Sequence, residues 1–402
     1  MLSSARHSPR RSNYDVVIAG GAIMGSSVAF FLSSSPDFGG TILVVERDPS
    51  YEYSSTARTN SCMRQQFSRE VNIRISQFAA EFVRDFRDWM GDPEAPEVPV
   101  NHFGYMYLAG DEASAAVLAA NQQVQAALGA GTRIMSAEQI AAEYPFYNVD
   151  GIVCGSHNLV GEGWWDSGTV FDWWRRQARR NGVEYVSDEV VGIDRAGDTV
   201  TGVELASAGT IGCGALVNAT GPRASHTAAM AGLELPVEPR KRYTFVFEAA
   251  EPLDRDLPLT IDPTGVHVRR DGVAYLAGCP PDVDRPVAYD DFDMDHEIWE
   301  SKVWPVLAHR VPAFERIKVT SRWAGHYAYN CFDHNAVVGP HTEVRNFLFI
   351  NGFSGHGMQQ SPAMGRAVAE LLCYGEYRTL DLSELGYERI ERGEPFVETA
   401  II

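Results

Sequence analysis

The chain has 402 residues, enough for two packed domains or for one large interleaved domain. Apolar residues make up 45% and charged residues 22%, which is ordinary for a folded protein and excludes a fibre or a disordered chain. The 34 Lys and Arg residues stand against 53 Asp and Glu residues, so the formal net charge is −19. Such a surface repels phosphate backbones and argues against nucleic-acid binding, but it leaves room for a local basic pocket.

The six cysteines form no CxxC or Cys/His metal spacing, which predicts free thiols in a reducing compartment and no metal site. No apolar run approaches the roughly 18 residues of a membrane span, so we expect a protein that does not cross a membrane. Residues 1–12 are basic and Ser-rich without an apolar core, and we expect a disordered lead-in, with an organelle-targeting segment as the alternative. The expected location is the cytoplasm. For a eukaryotic protein, the alternative is the mitochondrial matrix or the surface of the inner membrane.

The start of the chain predicts a βαβ unit. Residues 14–19 (YDVVIA) form a short apolar run that ends in glycines, which indicates a buried parallel strand. Residues 23–32 predict a helix without a polar face, which should be buried on all sides. Residues 41–46 (TILVVE) predict a second buried strand that ends in an acid.

Further elements follow in chain order. An amphipathic helix is predicted over 71–90 and a proline-rich, acidic linker over 92–99. Helices are also predicted near residues 113–128, 166–181, 294–308 and 359–373. Short strands are predicted over 183–186, 190–194, 200–205, 210–213, 216–219 and 347–350, and residues 236–326 are rich in strand patterns.

Dinucleotide-type strand and helix signals therefore recur at the start, middle and end of the chain, with strand-rich insertions between them. We predict a mixed α/β (α+β) fold, in which a Rossmann-like nucleotide domain is interleaved with an antiparallel substrate domain. The nucleotide domain is assigned residues 13–97, 165–232 and 335–385. The substrate domain is assigned residues 98–164 and 233–334, and the tails residues 1–12 and 386–402.

The turn after the first strand reads GGAIMG over 20–25, which is the dinucleotide fingerprint except at its third position. Gly20 permits the tight turn, and Gly25 permits close packing of the helix on the strand. Ala22 stands where a glycine normally lets the backbone approach a pyrophosphate. Ile23 and Met24 begin the helix, and the free N–H groups of a helix start suit phosphate.

Glu46 ends the second strand, 21 residues beyond Gly25. A carboxylate at this place can accept hydrogen bonds from ribose hydroxyls. Strand, turn, helix, strand and acid in this order predict a bound dinucleotide, and a turn that serves packing alone is the alternative.

Several motifs resemble the D-amino-acid-oxidase-like FAD-dependent oxidoreductases, the family that contains sarcosine oxidase, glycine oxidase and dimethylglycine dehydrogenase. The motifs are VIAGGAIMGSS (17–27), VVERD (44–48), VNATGPRA (217–224), WAGHYAYNCFDHNAVVGP (323–340) and GFSGHGMQQSPAMGRAVAELL (352–372). With CMRQQF (62–67), the likeness is greatest to a mitochondrial branch linked to respiratory complex I assembly and to its bacterial relatives. The resemblance covers nearly the whole chain.

This resemblance implies FAD as the cofactor. Relatives with a covalent flavin carry a cysteine in the segment aligned with 325–327, or a histidine soon after the second strand. Because neither residue stands there in this chain, we expect non-covalent FAD. Besides the turn residues and Glu46, the implied cofactor contacts are Arg47, Ser54, Ser55, Thr56, Asn60, Ser61, Cys62, Val190, Thr220, Gly221, Gly355, His356, Gly357 and Met358.

The resemblance also implies a reaction, in which hydride moves from the α-carbon of a small secondary or N-substituted amino acid to flavin N5. The imine product is then hydrolysed. Arg64 would anchor the substrate carboxylate, for which a planar guanidinium is well suited, while Gln359 replaces a basic residue of the family. In the strand-rich part, one of each neighbouring polar pair can face the site. The candidates for catalysis or substrate contact are Arg64, Tyr243, His267, Arg269, His326, Tyr327 and Gln359.

Alternatives remain open at this point. The electron acceptor is O₂, a quinone or a partner protein, and the lysine that activates oxygen in sarcosine oxidase has no counterpart near Leu276, which favours a dehydrogenase. A second hypothesis is a flavoprotein scaffold that assists assembly of a respiratory complex. A third is a subunit that passes electrons within a larger complex.

Overall fold

Three β-sheets organise the protein, and the computed structural model describes residues 8–399. The first sheet has eight strands, five of which run parallel in the order β9-β2-β1-β12-β19. Its strands are β1 (Asn13–Ala19), β2 (Ile42–Glu46), β9 (Glu184–Ser187), β10 (Val190–Ala196), β11 (Thr199–Leu205), β12 (Gly209–Asn218), β18 (Val337–Pro340) and β19 (Phe347–Asn351). Three distant chain segments therefore build one sheet.

The second sheet also has eight strands, in the order β17-β13-β16-β15-β14-β5-β7-β6, and is antiparallel except where β14 meets β5. Its strands are β5 (Tyr105–Ala109), β6 (Arg133–Ser136), β7 (Cys154–Asn158), β13 (Val237–Ala249), β14 (Leu259–Ile261), β15 (His267–Asp271), β16 (Ala274–Cys279) and β17 (Ile317–Asn330). A third sheet holds β3 (Cys62–Met63), β8 (Gly163–Trp165) and β4 (Val100–Asn101).

Ten α-helices connect and cover the sheets within the described residues. They are α1 (Ile23–Ser34), α2 (Glu70–Arg84), α3 (Phe86–Met90), α4 (Glu112–Ala127), α5 (Ala137–Glu143), α6 (Ser167–Arg180), α7 (Ala224–Met230), α8 (Trp304–Arg310), α9 (Gly357–Tyr374) and α10 (Glu388–Glu391). All of residues 23–32 of α1 are buried, as its sequence predicts. The mixed α/β fold class is thereby confirmed.

Local boundaries differ from the sequence predictions in two places. The helix predicted over 71–90 is interrupted at Asp85, where the backbone leaves the helical region and α3 then begins. The strands predicted over 210–213 and 216–219 are one strand, β12, which pairs with β1 along both stretches. The assigned domain boundaries stay a prediction.

Residues 386–399 pack onto the body of the protein, and residues 400–402 lie outside the described residues. Phe396 is buried in the core that includes α1 and α2, and Arg389 forms a buried ion pair with Asp333 at 2.7 Å. The Glu398 carboxylate accepts a hydrogen bond from the backbone N–H of Ser68 at 2.6 Å. The sequence assigned this segment to a tail, and residues 1–7 of the other assigned tail lie outside the described residues.

Two further findings concern the cysteines and the helices. All six cysteines are free. Across residues 8–399, the helices are too short or too polar for any of them to span a membrane.

Candidate active site

The main cavity lies between the first and second sheets. It begins at the carboxyl ends of β1 and β2 and reaches the turn that precedes α9, while strands β13, β15 and β17 of the second sheet form its other wall. The carboxyl edge of parallel strands is the usual place of a nucleotide in such sheets. The predicted site residues that line the cavity are Gly20, Ala22, Ile23, Met24, Glu46, Arg47, Ser54, Ser55, Thr56, Asn60, Ser61, Cys62, Arg64, Val190, Thr220, Gly221, Tyr243, His267, His326, Tyr327, Gly355, His356, Gly357, Met358 and Gln359.

The first glycine turn has the backbone that its sequence predicts. Gly20 has a φ of +94°, and a Cβ at this position would lie 2.5 Å from the carbonyl oxygen of Ala219 on the neighbouring strand end. Gly25 does not line the cavity; its missing side chain instead lets α1 pack against the carbonyl oxygen of Gly20. The Ile23 N–H at the start of α1 donates to the Thr56 hydroxyl at 3.2 Å.

The Glu46 carboxylate closes this turn from the end of β2. One oxygen accepts the Gly21 N–H and the other accepts the Asp48 N–H, each at 2.8 Å. Burial raises the pKa of Glu46, and these two backbone donors oppose that shift. A carboxylate oxygen has two lone pairs, so each oxygen can accept a further hydrogen bond from a ribose hydroxyl.

The inner end of the cavity, defined here by Arg64, Arg242, His267, Tyr327 and His356, lies beside the turn that precedes α9. Arg64 is 3% exposed, and its Nη2 donates to His356 Nε2 at 3.0 Å. Since Nε2 accepts this bond, the His356 ring is neutral with its proton on Nδ1. Burial, followed by the charge of Arg64, lowers the pKa of His356 well below its usual value.

Aromatic rings and an amide complete the surroundings of Arg64. The guanidinium carbon lies 4.5 Å from the Phe67 ring centre and 5.5 Å from that of Tyr107. The Arg64 backbone N–H donates to Gln359 Oε1 at 2.8 Å. The predicted substrate anchor and the first turn of α9 are therefore joined directly.

Asn60 and Gln359, which both line the cavity, each have a buried polar atom without a hydrogen-bond partner within residues 8–399. These atoms are Asn60 Oδ1 and Gln359 Nε2. Gly355 has a φ of +98°, and the ring of Tyr327 packs against the place where a side chain would stand. An unpaired acceptor, an unpaired donor and a bare backbone turn fit the polar edge of a flavin ring.

The two histidines proposed for catalysis have different surroundings. His267 Nε2 lies 3.4 Å from Asn60 Nδ2, and burial lowers the pKa of His267 to about 4. His326 Nε2 lies 2.7 Å from the carbonyl oxygen of Asp291, so it donates there, and its ring stacks on Phe292 with centres 4.2 Å apart. His326 is therefore engaged with a loop, whereas His267 meets the predicted flavin side.

One expectation about the second sheet requires correction. Arg269 does not line the cavity, because it lies further along β15 than His267 and its guanidinium is bound to Asp271 at 2.9 Å. Arg242 and Tyr243 both line the cavity, as do His326 and Tyr327.

Sequence reasoning missed two charged residues near the inner end. Glu162 is fully buried and accepts hydrogen bonds from the Gln65 N–H at 2.7 Å and from the Gln66 side-chain amide Nε2 at 2.9 Å, so it supports the loop that follows Arg64. Burial raises the pKa of Glu162 to about 7. Arg242 was passed over in favour of Tyr243, although a basic residue beside a predicted site strand was a usable signal.

Cysteine positions bear on the attachment of the cofactor. Cys331 is exposed and does not line the cavity. Cys62 does line it, and burial raises the pKa of Cys62 to about 11, so the group is a neutral thiol.

A parallel sheet with a glycine turn and a strand-end acid, facing an antiparallel sheet across one long cavity, defines a dinucleotide-dependent oxidoreductase fold. The chain matches the family model described as FAD dependent oxidoreductase (DAO) over residues 15–371. The protein therefore belongs to this family, is an FAD-dependent oxidoreductase and is related to amino acid oxidases and dehydrogenases.

Three relatives illustrate the range of similarity. The chain is 38% identical to FAD-dependent oxidoreductase domain-containing protein 1 of Xenopus laevis, over 96% of this chain and 85% of the relative. It is 29% identical to sarcosine oxidase subunit beta of Rhizobium meliloti, over 54% of this chain and 53% of the relative. Among solved structures, L-proline dehydrogenase from P. horikoshii superposes with a TM-score of 0.83 at 25% identity, covering 96% of this chain and 99% of that chain.

Proposed function

We propose that the protein oxidises the C–N bond of a small secondary or N-substituted amino acid, using non-covalently bound FAD. The observation that carries the proposal is Arg64, a buried guanidinium that lines the cavity beside the turn of α9. Two of the relatives are named for sarcosine and L-proline, which are both secondary amino acids.

Arg64 holds the substrate carboxylate in this proposal. A guanidinium binds a carboxylate with charge-assisted hydrogen bonds, and a buried site makes these stronger than they are in water. The hydrogen bond to the neutral His356 and the contacts with the rings of Phe67 and Tyr107 position the guanidinium. The substrate carbon is thereby oriented before reaction, which lowers the entropic part of the barrier.

Flavin, when bound, supplies the redox chemistry by accepting a hydride equivalent from the substrate carbon. The side chains around it bind and orient. Gln359 Nε2 and Asn60 Oδ1 present a donor and an acceptor, and His267 presents a neutral ring at physiological pH because its pKa is about 4. The substrate nitrogen loses electron density during the reaction, and a neutral ring does not repel it.

The test is anaerobic mixing of the purified protein with sarcosine, L-proline, N-methyl-L-alanine and N-methyl-L-glutamate. At least one of these amines should bleach the visible absorption band of the flavin. Arg64→Gln should raise the substrate concentration for half-maximal bleaching about 10- to 100-fold, since it removes a charge-assisted contact. Arg74→Gln, a change in an exposed residue of α2, is the matched control.

A flavin that none of these amines bleaches would exclude the proposed substrate class. Non-covalent attachment has its own measurement, because acid precipitation of the protein should leave all of the flavin in the supernatant. Flavin that stays with the precipitate would contradict that part of the proposal.

The scaffold hypothesis stays a second prediction, which originates from the sequence resemblance. It predicts stable co-purification with subunits of a membrane complex that Arg64→Gln leaves unchanged. An isolated protein that turns over an amine and binds no such subunit would contradict it.

A further inference from the structure

Two arginines and no acidic side chain line the inner end of the cavity. The acidic lining residues lie elsewhere, at the end of β2 and around β9 and β10, and are Glu46, Asp48, Asp188 and Glu189. Arg64 is joined to the turn before α9 by its hydrogen bond to His356. Arg242 reaches the same turn through Tyr327, whose ring packs on Gly355 and lies 4.7 Å from the Arg242 guanidinium.

The hydrogen bonds of Arg242 leave one edge of its guanidinium unused. Nη1 and Nη2 donate to the two carboxylate oxygens of Asp284 at 2.9 and 2.8 Å, and Nη1 also donates to the carbonyl oxygen of Lys241 at 2.8 Å. Within residues 8–399, the Nε hydrogen and the second Nη2 hydrogen have no acceptor. These two hydrogens form the side-on fork that binds a carboxylate through both of its oxygens.

We propose that Arg242 is a second carboxylate anchor, so that the site takes an amino acid with an additional acidic group. This inference rests on the proposed function, in which Arg64 binds the α-carboxylate. Asp284 orients the guanidinium and remains bound to it, while the free edge receives the second acid. Arg64 and the free edge of Arg242 then offer two sets of charge-assisted donors to a dianionic ligand, although the chain as a whole carries a formal charge of −19.

Asp284 lies in the loop of residues 280–296 that follows β16. The neighbouring residue Arg240 contacts the same loop, so it serves to distinguish a carboxylate anchor from a residue that only holds the loop. Arg240 also donates to the loop, through the carbonyl oxygen of Asp284, and it binds Glu238 at 2.8 Å. Lys241 binds Asp291 in the same loop at 2.8 Å. Three consecutive basic residues thus hold the loop, but only Arg242 among them lines the cavity.

Calorimetric titration of the FAD-loaded protein tests the inference without turnover. The probes are succinate, glutarate and adipate, each paired with its monoamide, which has nearly the same shape but one charge fewer. At least one dicarboxylate should bind about tenfold or more tightly than its monoamide. Arg242→Gln should remove this preference while leaving monoamide binding within about twofold, and Arg240→Gln should keep the preference.

A ratio near one for every pair in the unchanged protein would overturn the inference. An equal loss of the preference in Arg240→Gln and Arg242→Gln would also overturn it, since the loop and not the anchor would then be responsible. A different result would contradict the proposed function, namely that none of the amines bleaches the flavin. A charge preference that depends on Arg242 can be observed whether or not any amine is oxidised.

Discussion

Arg64 and His356 form a pair in which the histidine must stay neutral. Its Nε2 is the acceptor for an arginine hydrogen, and its ring packs in a T-shaped arrangement on Phe67 with the ring centres 5.3 Å apart. Protonation of His356 would place a second cation 3.0 Å from the first. The low pKa of this histidine is thus a condition for a fixed Arg64.

His356→Phe should weaken substrate binding about tenfold, because the buried arginine loses its acceptor and gains freedom. His356→Gln, which keeps an acceptor oxygen, should restore most of that loss. The measurement is the concentration of the reactive amine at half-maximal flavin bleaching. Equal losses in the two variants would show that ring shape rather than hydrogen bonding positions Arg64.

Glu162 makes a prediction about pH and stability. Its pKa is raised from 4.5 to about 7 in the folded protein, so the folded state keeps a proton that the unfolded state releases. The contribution of Glu162 to the free energy of unfolding therefore falls as pH rises from about 4.5 to about 7, by at most about 3 kcal/mol, and is level above that. Glu162→Gln cannot ionise and should remove this fall.

Urea unfolding at pH 5 and pH 8 measures the effect. The variant Glu162→Gln should be less stable than the unchanged protein at pH 5, because it loses a carboxyl hydrogen-bond acceptor. The difference in free energy of unfolding between the two proteins should be smaller at pH 8. The buried histidines titrate equally in both proteins and cancel in the comparison. Glu97→Gln, at a side chain that is 88% exposed, should differ from the unchanged protein by the same amount at both pH values. If the difference between Glu162→Gln and the unchanged protein is also the same at both pH values, the raised pKa of Glu162 is refuted.

At the level of elements, the first strand, turn and helix depend on two small residues in different ways. Gly25 cannot carry a Cβ without meeting the Gly20 carbonyl oxygen, which is backbone and cannot move aside. Ala22 lines the cavity and already carries a Cβ. Gly25 thus determines the packing of α1, and Ala22 determines how closely a cofactor can approach the backbone of the turn.

Gly25→Ala should displace α1 from β1 and leave purified protein with less than about half of its flavin, since overpacking of this kind costs about 1–3 kcal/mol. Ala22→Gly should leave the flavin content equal or higher. The ratio of visible to ultraviolet absorbance of each purified variant gives the answer. A marked loss of flavin in Ala22→Gly would mean that the pyrophosphate lies elsewhere.

Elements with a strong period were predictable to within a few residues. Helix α6 was expected over 166–181 and spans Ser167–Arg180, since its apolar stripe and the Asp166 cap agree. The break at Asp85 was not predictable, because the apolar stripe of α2 continues through Phe86 and a single distorted residue leaves the period intact. The join of two predicted strands into β12 depends on pairing with β1, whose residues stand 199 positions before their partners, as in the pair of Asn13 with Gly212.

At the scale of the whole molecule, motifs located the cofactor half of the site better than the substrate half. Gly20, Glu46 and the turn at Gly355 belong to runs whose order carries information, and all of them line one cavity. Arg242 stands in a short basic run and Glu162 is an isolated acid, and neither belongs to a recognisable motif. Their place depends on strand register and burial, which local sequence does not contain.

The C-terminal segment contributes to the stability of the whole molecule through the buried side chain of Asp333. Asp333 accepts Arg389 Nε at 2.7 Å and the Phe396 N–H at 3.0 Å, and the side chain of Asp333 is fully buried. Asp333→Asn should lower the free energy of unfolding by about 3 kcal/mol, because it leaves the Arg389 charge buried without a counter-charge. Arg392→Gln, which removes an exposed pair with Glu388, should change it by less than about 0.5 kcal/mol.

Thermal unfolding of the two variants followed by flavin fluorescence distinguishes them. A large drop in the midpoint is expected for Asp333→Asn alone. Similar midpoints for the two proteins would mean that the C-terminal segment contributes little to the stability of the folded chain.

The central parallel sheet sets an order of events during synthesis. Strand β19 (Phe347–Asn351) completes it beside β12, and the turn at Gly355 follows only after that. A ribosome must therefore translate nearly the whole chain before the first glycine turn meets its counterpart at α9. Nascent chains arrested before residue 347 should fail to retain FAD, whereas chains extended past Tyr374 by a linker that clears the exit tunnel should begin to retain it.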